Sequence, residues 1–448
     1  MQYVTLILYP KWLAPMTQAP GATQNQQTWL EHHACIILDS KIIDVLPVAD
    51  VPGRYQAQFE YNLPDHLLLP GLFNSHTHAA MSLMRGFADD YPLITWLEDY
   101  IWPAENTCVS SSFVQTGTEL AICEMLESGV TCFNDMYFFP ETVAKILDET
   151  GLRGCISGPI LEFPSAWGQS AADYIAKNTE VVAHYKSHPR VSAGYGPHAP
   201  YTVSNRTFET IIDKASEYKT WIHIHLHETV FEIEQSLKEF KMRPIQRLHE
   251  LGLFNTPVQA VHMTQLNDND IALIKNSQCH VIHCPESNLK LASGFAPIAQ
   301  IQNANINIGI GTDGAASNND LDMVSELRTA AILAKAVAND AQALPAYSAL
   351  YAATRGGALA FGQRSLGSIT PGYEADVIAV NMNHWNTQPV YDPIAQFVYA
   401  TNNRQISHVW VAGKLVCEHG QVKVFDTENL RHNVQQWRSK IFELKRGS

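Results

Sequence analysis

The sequence predicts an α/β fold: a (β/α)8 barrel over residues 67–369, with a small β domain built from both ends, residues 1–66 and 370–448. Three observations carry this. Eight short β-like runs alternate with helix-favouring stretches through the middle of the chain, which calls for a parallel sheet joined by right-handed crossovers. The two ends share another texture, short apolar runs broken by Pro, Gly and Asn, with no long helical period. The polar residues that close the central runs fall at their carboxyl ends, where barrels of this class place their chemistry.

In order, runs at 3–9, 35–38 and 42–46 begin a small sheet, and runs at 375–381, 408–412 and 415–417 join it from the other end, the last two linked by a Gly413-Lys414 turn. The central strands are expected at 67–73, 131–135, 154–160, 191–195, 221–226, 258–262, 280–284 and 306–311. Helices are expected at 114–127, 142–149, 208–217, 231–251, 268–275, 322–338 and 346–360. The first strand leads into His76 and His78, the second into Asp135 and the fourth into His198. The fifth ends in His225 and Glu228, the sixth in His262 and the eighth in Asp313.

Composition narrows the function. With 46% hydrophobic and 17% charged residues, the 448-residue chain is globular. A formal charge of −14 opposes a duplex nucleic-acid partner, which demands a basic face, and favours a small substrate. The eight cysteines include no Cys-x-x-Cys pair, which removes a disulfide framework, a zinc ribbon and the cytidine-deaminase type of zinc site. The first twenty residues lack a basic flank with an apolar core, and no run reaches the ~18 apolar residues of a membrane span. The expectation is a soluble, cytoplasmic protein, and a homo-oligomer is compatible with it.

In an extended strand residues i and i+2 share a side, so His76 and His78 can offer two imidazoles to one ion. With His225 and Asp313 they make a ligand set of the kind that leaves a position for water and lowers its pKa toward ~7. The absence of cysteine from the set admits Zn²⁺ or Fe²⁺. In Trp221-Ile222-His223-Ile224-His225-Leu226-His227-Glu228, His225 is the ligand, His223 belongs to the core and Glu228 falls in the next turn. His227 is either structural or next to the ligands; His280 and His283 read as structural or supporting.

Pro70-Gly71-Leu72-Phe73-Asn74-Ser75-His76-Thr77-His78, His225-x-x-Glu228, Val261-His262, His283-Cys284-Pro285-x-Ser287-Asn288-x-x-Leu291-x-x-Gly294 and Gly311-Thr312-Asp313-Gly314 resemble, in order and spacing, the amidohydrolase superfamily. Within it they are similar to the branch of triazine hydrolases, guanine deaminases and methylthioadenosine/S-adenosylhomocysteine deaminases. The resemblance implies a distorted barrel with a β-sandwich made from both termini, and a single metal on His76, His78, His225 and Asp313, Zn²⁺ before Fe²⁺. The fourth strand, ending Tyr195-Gly196-Pro197-His198, carries no lysine to bridge a second ion. The implied reaction is hydrolytic deamination: Glu228 shuttles a proton to a ring nitrogen, Asp313 takes one from the attacking water, and His262 orients the water or stabilises the adduct.

Substrate choice follows the same resemblance. Trp102-Pro103-Ala104-Glu105 is similar to a stretch whose glutamate holds ribose hydroxyls, and the histidine of Gly196-Pro197-His198 to one that faces the nucleoside. Arg153 is the cation available near the third strand for a charged tail, yet Leu161-Glu162-Phe163-Pro164-Ser165-Ala166-Trp167 brings none. Phe163, Trp167, Met84 and Leu83 are expected to pack a small apolar substituent. The expected substrate is therefore a purine nucleoside, 5′-methylthioadenosine first, adenosine next and S-adenosylhomocysteine third. The alternatives are a free heterocycle such as guanine, 8-oxoguanine or a triazine, and a barrel kept only as a non-catalytic scaffold. Two local readings complete the expectation: Arg85 pairs with Asp89 on a lid over the site, and Ser317-Asn318-Asn319 caps the next helix.

Overall fold

The computed structural model describes residues 1–21 and 27–447. Both ends of the chain lie in one nine-stranded sheet. Gln2–Leu13 runs parallel to Tyr55–Pro70, and Tyr55–Pro70 pairs antiparallel with Val377–Asn381 from the far end. Ile406–Val411 and Lys414–Glu418 extend the sheet on that side, His33–Leu38 and Lys41–Pro47 on the other. Leu67, Leu68 and Leu69, expected to open the first central strand, are fully buried in this sheet instead. The ladder continues to Pro70, and the first central strand starts at Leu72, directly after Gly71.

Among the described residues, eight strands of three residues or more then follow in chain order: Leu72–Thr77, Val130–Met136, Arg153–Ser157, Val191–Ala193, Ile222–Leu226, Val258–His262, Cys279–His283 and Ile308–Ile310. Neighbours pair in parallel from first to fourth and from fifth to eighth. The fourth meets the fifth through a parallel bridge of Tyr195 and Ile222, with His223 N–H donating to the Tyr195 carbonyl at 2.9 Å. The eighth returns to the first, where the Asp313 N–H donates to the His76 carbonyl at 3.0 Å. That approach needs a glycine one turn earlier: a Cβ on Gly311 would stand 2.5 Å from the His76 nitrogen.

Strands buried on both faces are usually near-continuous hydrophobic runs. Here Asn74, Ser75, His76, Thr77, Asn134, Asp135 and His223 are all buried, so the interior at this end is polar and each group needs a partner. Asp135, for instance, accepts from the Ala79 N–H at 2.7 Å and the Thr77 hydroxyl at 3.2 Å, which makes it a brace for the turn after the first strand.

Three helical readings change. The expected helix at 231–251 is two, Val230–Phe240 and Pro244–Glu250, because Lys241 turns left-handed (φ 60°) before Pro244. The long loop after the first strand, where Arg85 and Asp89 were expected on a lid, becomes helical further on, from Leu93 to Cys108. Residues 427–447 form a helix outside the terminal sheet, with Trp437 edge-on against Phe113.

Arg153 corrects a sequence expectation. It stands at the start of the third strand, the end opposite the ligands, with Nε 3.0 Å from Asp376 and a second nitrogen 2.6 Å from Glu374. It ties the eight strands to the terminal sheet and does not reach a substrate. Arg153→Met should lower stability by about 3–5 kcal/mol, since it strands the buried Asp376 charge. The denaturant midpoint measures this, and KM for substrate should stay unchanged.

Candidate active site

Four side chains converge beyond the strand ends: His76 and His78 from the first strand, His225 from the fifth and Asp313 after the eighth. One ring nitrogen from each of the three histidines lies within 4.8 Å of the others, and a second group of the same reach joins His76, His262 and Asp313. The Nε2 atoms of His76 and His78 stand 3.3 and 3.4 Å from Asp313 Oδ1.

The opposite ring nitrogens are tied down. His78 Nδ1 donates to the Met136 carbonyl at 2.7 Å and His225 Nδ1 to the His198 carbonyl at 2.8 Å. A carbonyl only accepts, so both imidazoles carry their proton on Nδ1 and leave Nε2 free to ligate. His76 Nδ1 meets His223 Nε2 at 2.8 Å, and Asn134 Nδ2 approaches the same atom at 3.1 Å. His76 Nε2 is buried without a hydrogen-bond partner. A buried orphan nitrogen beside two more imidazoles and a carboxylate fits a divalent ion of the Zn²⁺ or Fe²⁺ kind.

Electrostatics favour the ligating forms. Burial pushes His76 down to about 4. Burial and the surrounding imidazoles hold His225 well below its ordinary value. Burial opposes the charge on Asp313, yet the neighbouring imidazoles of His76, His78 and His262 hold its carboxyl well below the usual range. Its Oδ2 accepts from the Ser287 hydroxyl at 2.7 Å. Asp313 (φ 65°) and His262 (φ 75°) both have left-handed backbones, the kind of strain that persists where surrounding structure over-determines a residue.

Glu228 lies in the turn after His225. Its Oε1 accepts from the Ser293 hydroxyl at 3.3 Å, and its Oε2 is 3.7 Å from His262 Nε2, whose ring is fixed by Nδ1 donating to Asn288 Oδ1 at 2.8 Å. Burial raises the Glu228 carboxyl above its ordinary value, the direction a proton carrier near neutral pH requires.

These groups form one end of a cavity of about 350 Å³, within the ~300–1,000 Å³ of small-molecule sites. Glu105 lines it from the helix Trp102–Cys108 and accepts from the Tyr137 hydroxyl at 2.6 Å. Burial pushes Glu105 up to about 7, against the pull of that hydrogen bond. His198 lines the cavity too, with Nδ1 3.1 Å from the Thr202 hydroxyl. Among the described residues the lining includes neither lysine nor arginine.

The structure thus brings His76, His78, His225, Asp313, His262 and Glu228 together and sets Glu105 and His198 in the same cavity. Of the expected apolar residues only Phe163 lines it, joined by Met81; Met84 and Trp167 are buried elsewhere and Leu83 packs on the core. Arg85 pairs with Glu124, and Asp89 with Lys290. Ser317 lines the cavity and bonds Ser287 at 3.0 Å, while Asp322 caps the following helix. His227 is structural, its Nε2 accepting from the Ile245 N–H at 3.1 Å. His280 meets Asn307 at 3.0 Å, outside the cavity. Ser287, Asn288, Ser293 and Tyr137 had no assigned role in the sequence. The first two stand inside a matched motif, while nothing in the order of residues marks the other two.

Residues 67–416 match the profile of the Amidohydrolase family. The chain belongs to that family. A 5-methylthioadenosine/S-adenosylhomocysteine deaminase of Teredinibacter turnerae is 47% identical over 407 residues, which cover 91% of this chain and 92% of the relative. One from Saccharophagus degradans is 43% identical over 437 residues, covering 97% and 96%. Among solved structures, an adenosine deaminase from Xanthomonas campestris with bound zinc superposes with a TM-score of 0.95 at 43% identity, covering 99% of each chain. A triazine hydrolase variant, 21% identical with a TM-score of 0.88 over 97% of this chain and 99% of its own, shares the fold of this amidohydrolase. Among the described residues, no helix of it is long and apolar enough to cross a membrane.

Proposed function

We propose that this amidohydrolase deaminates an adenine nucleoside, with 5′-methylthioadenosine as the preferred substrate and 5′-methylthioinosine and ammonia as products. One observation carries the reading: Glu228, beside the histidine and aspartate cluster, shares a single cavity with the half-buried Glu105. In the same reading the eight strands close into a (β/α)8 barrel, and the terminal sheet is the β-sandwich of the family.

His76, His78, His225 and Asp313 would hold one divalent ion, Zn²⁺ being our assignment. When bound, such an ion supplies Lewis acidity and lowers the pKa of a coordinated water toward ~7. Asp313 takes the proton released as water adds to C6 of the purine. Glu228 donates to N1, which turns the ring into a better acceptor of the attack. His262, held by Asn288, supports the charge that grows on the adding oxygen. Asp313 then passes its proton to the exocyclic amine, ammonia leaves, and the hydroxyl proton of the adduct returns to Glu228 as the ring carbonyl forms.

Glu105 supplies the nucleoside specificity, because a carboxylate accepts from both hydroxyls of a vicinal diol. Its raised pKa gives a pH signature. Below about 7 the carboxyl is protonated and loses acceptor capacity, so KM for 5′-methylthioadenosine should rise as pH falls through 7. In Glu105→Gln that dependence should vanish and kcat/KM should fall about 10- to 100-fold, the loss of one charge-assisted hydrogen bond of about 1.5–3 kcal/mol. An unchanged kcat/KM would remove the ribose clamp from the reading.

The cation-free lining opposes a zwitterionic amino-acid tail, whose carboxylate would lose water without gaining a partner. An ammonia-coupled comparison of 5′-methylthioadenosine, adenosine, S-adenosylhomocysteine, guanine and cytosine tests the whole assignment. Methylthioadenosine should lead in kcat/KM, with S-adenosylhomocysteine at least about tenfold lower, a difference of roughly 1.4 kcal/mol. Guanine in first place would replace the nucleoside reading with the free-heterocycle one.

A further inference from the structure

Glu228 can carry protons only if its backbone is held, and the turn that bears it is unusual. His227 has a left-handed backbone (φ 53°), a conformation that disfavours a residue with a Cβ by ~1–2 kcal/mol. Something must pin this turn between the fifth strand and the helix Val230–Phe240.

The pin is Glu232. It sits in the first turn of that helix, 2% exposed. A glutamate three residues past a Thr cap ordinarily folds back onto the cap's own N–H. Here Thr229 is the cap and its hydroxyl accepts from the Glu232 N–H at 3.4 Å, but the Glu232 carboxylate reaches past it. Oε1 accepts from the His227 N–H and Oε2 from the Glu228 N–H, each at 2.9 Å. Both oxygens are spent on two successive amides of the strained turn. On the opposite side, the Thr264 hydroxyl donates to the Glu228 carbonyl at 2.6 Å, and the Gln265 N–H donates to the His227 carbonyl at 3.0 Å.

We propose that Glu232 is a positioning residue for catalysis: its two-armed grip on the amides of His227 and Glu228 fixes where the Glu228 carboxyl stands over the reacting ring. The inference rests on Glu228 as the proton carrier of the reading above. Displacement of a reacting group by about 1 Å can cost on the order of 100-fold in rate. Glu232→Gln keeps the volume but offers one acceptor oxygen, and its NH₂ then faces a backbone N–H, so the turn must shift.

The test is a double-mutant cycle on the metal-loaded full chain with 5′-methylthioadenosine. Glu232→Gln should lower kcat about 10- to 100-fold, with KM moved less than about threefold and metal content still one per chain by elemental analysis. In the Glu228→Gln background the same substitution should lower kcat by less than about twofold, since the group it positions is gone. A full multiplicative loss in that background would overturn the inference, as would a wild-type kcat in Glu232→Gln alone. Should the glutamine variant be insoluble, Glu232→Asp, with both acceptors on a shorter arm, is judged by the same two criteria. If Glu228→Gln by itself keeps the wild-type kcat, the failure belongs to the underlying reading and is seen before the cycle is completed.

Discussion

Glu228→Gln should lower kcat for deamination by about 10³- to 10⁴-fold while one metal ion per chain remains bound. General acid–base catalysis by one side chain is typically worth ~10²- to 10⁴-fold, and the upper part of that range is expected because Glu228 has two transfers to make, one to N1 and one from the hydroxyl of the adduct. Glutamine keeps the volume and can still accept from Ser293, so neither the cavity nor the ligands should change. KM should move by no more than a few-fold, because the interaction removed is one that strengthens on the way to the transition state. Steady-state kinetics and elemental analysis on the same preparation check both halves. A loss of metal together with activity would mean that Glu228 supports the ligands instead of moving protons.

Asp313→Ala should abolish measurable turnover and reduce bound metal well below one ion per chain. Asp313 is the anionic member of the ligand set and lies 3.3 and 3.4 Å from the Nε2 atoms of two others. Removing it leaves three neutral imidazoles to hold a dication and deletes the acceptor for the water proton. Stripping the wild-type protein with a chelator should reproduce the loss, and Zn²⁺ should restore the wild type alone. Metal binding only to the folded state also stabilises it by RT ln(1 + [L]/Kd), about 2.7 kcal/mol at a hundredfold excess over Kd. The stripped wild type should therefore melt earlier than the loaded form, whereas the melting temperature of Asp313→Ala should respond little to added Zn²⁺.

The cluster of His76, His78, His225 and Asp313 was legible because strand geometry makes it so: alternation puts His76 and His78 on one side, and parallel order brings the ends of the first, fifth and eighth strands together. Glu105 was legible only through a resemblance, since nothing in its neighbourhood announces a helix at 102–108 that leans over the cavity. Arg153 was legible at the start of the third strand, but its partners there, Glu374 and Asp376, are more than 200 positions away in sequence, and no spacing rule reports them. The first central strand, expected from 67, starts at Leu72 for a related reason. Leu67, Leu68 and Leu69 are as apolar as any barrel strand, and only pairing partners distinguish one buried ladder from another. Ser293 and Glu232 were invisible because their work is to hold backbone and side chains distant in sequence, and no spacing rule reports such contacts.

The contact between the eighth strand and the first also has a temporal side. Asn74 and Thr312, hydrogen-bonded at 2.8 Å beside the ligands, are 238 positions apart. The histidines are synthesised long before the carboxylate that completes their set, so a nascent chain that has not yet reached residue 313 cannot form the finished site. Ions loosely trapped by the early imidazoles would have no anionic anchor. Tight loading thus waits for residue 313, and a ribosome-stalled fragment ending before it should bind Zn²⁺ far more weakly than the released protein.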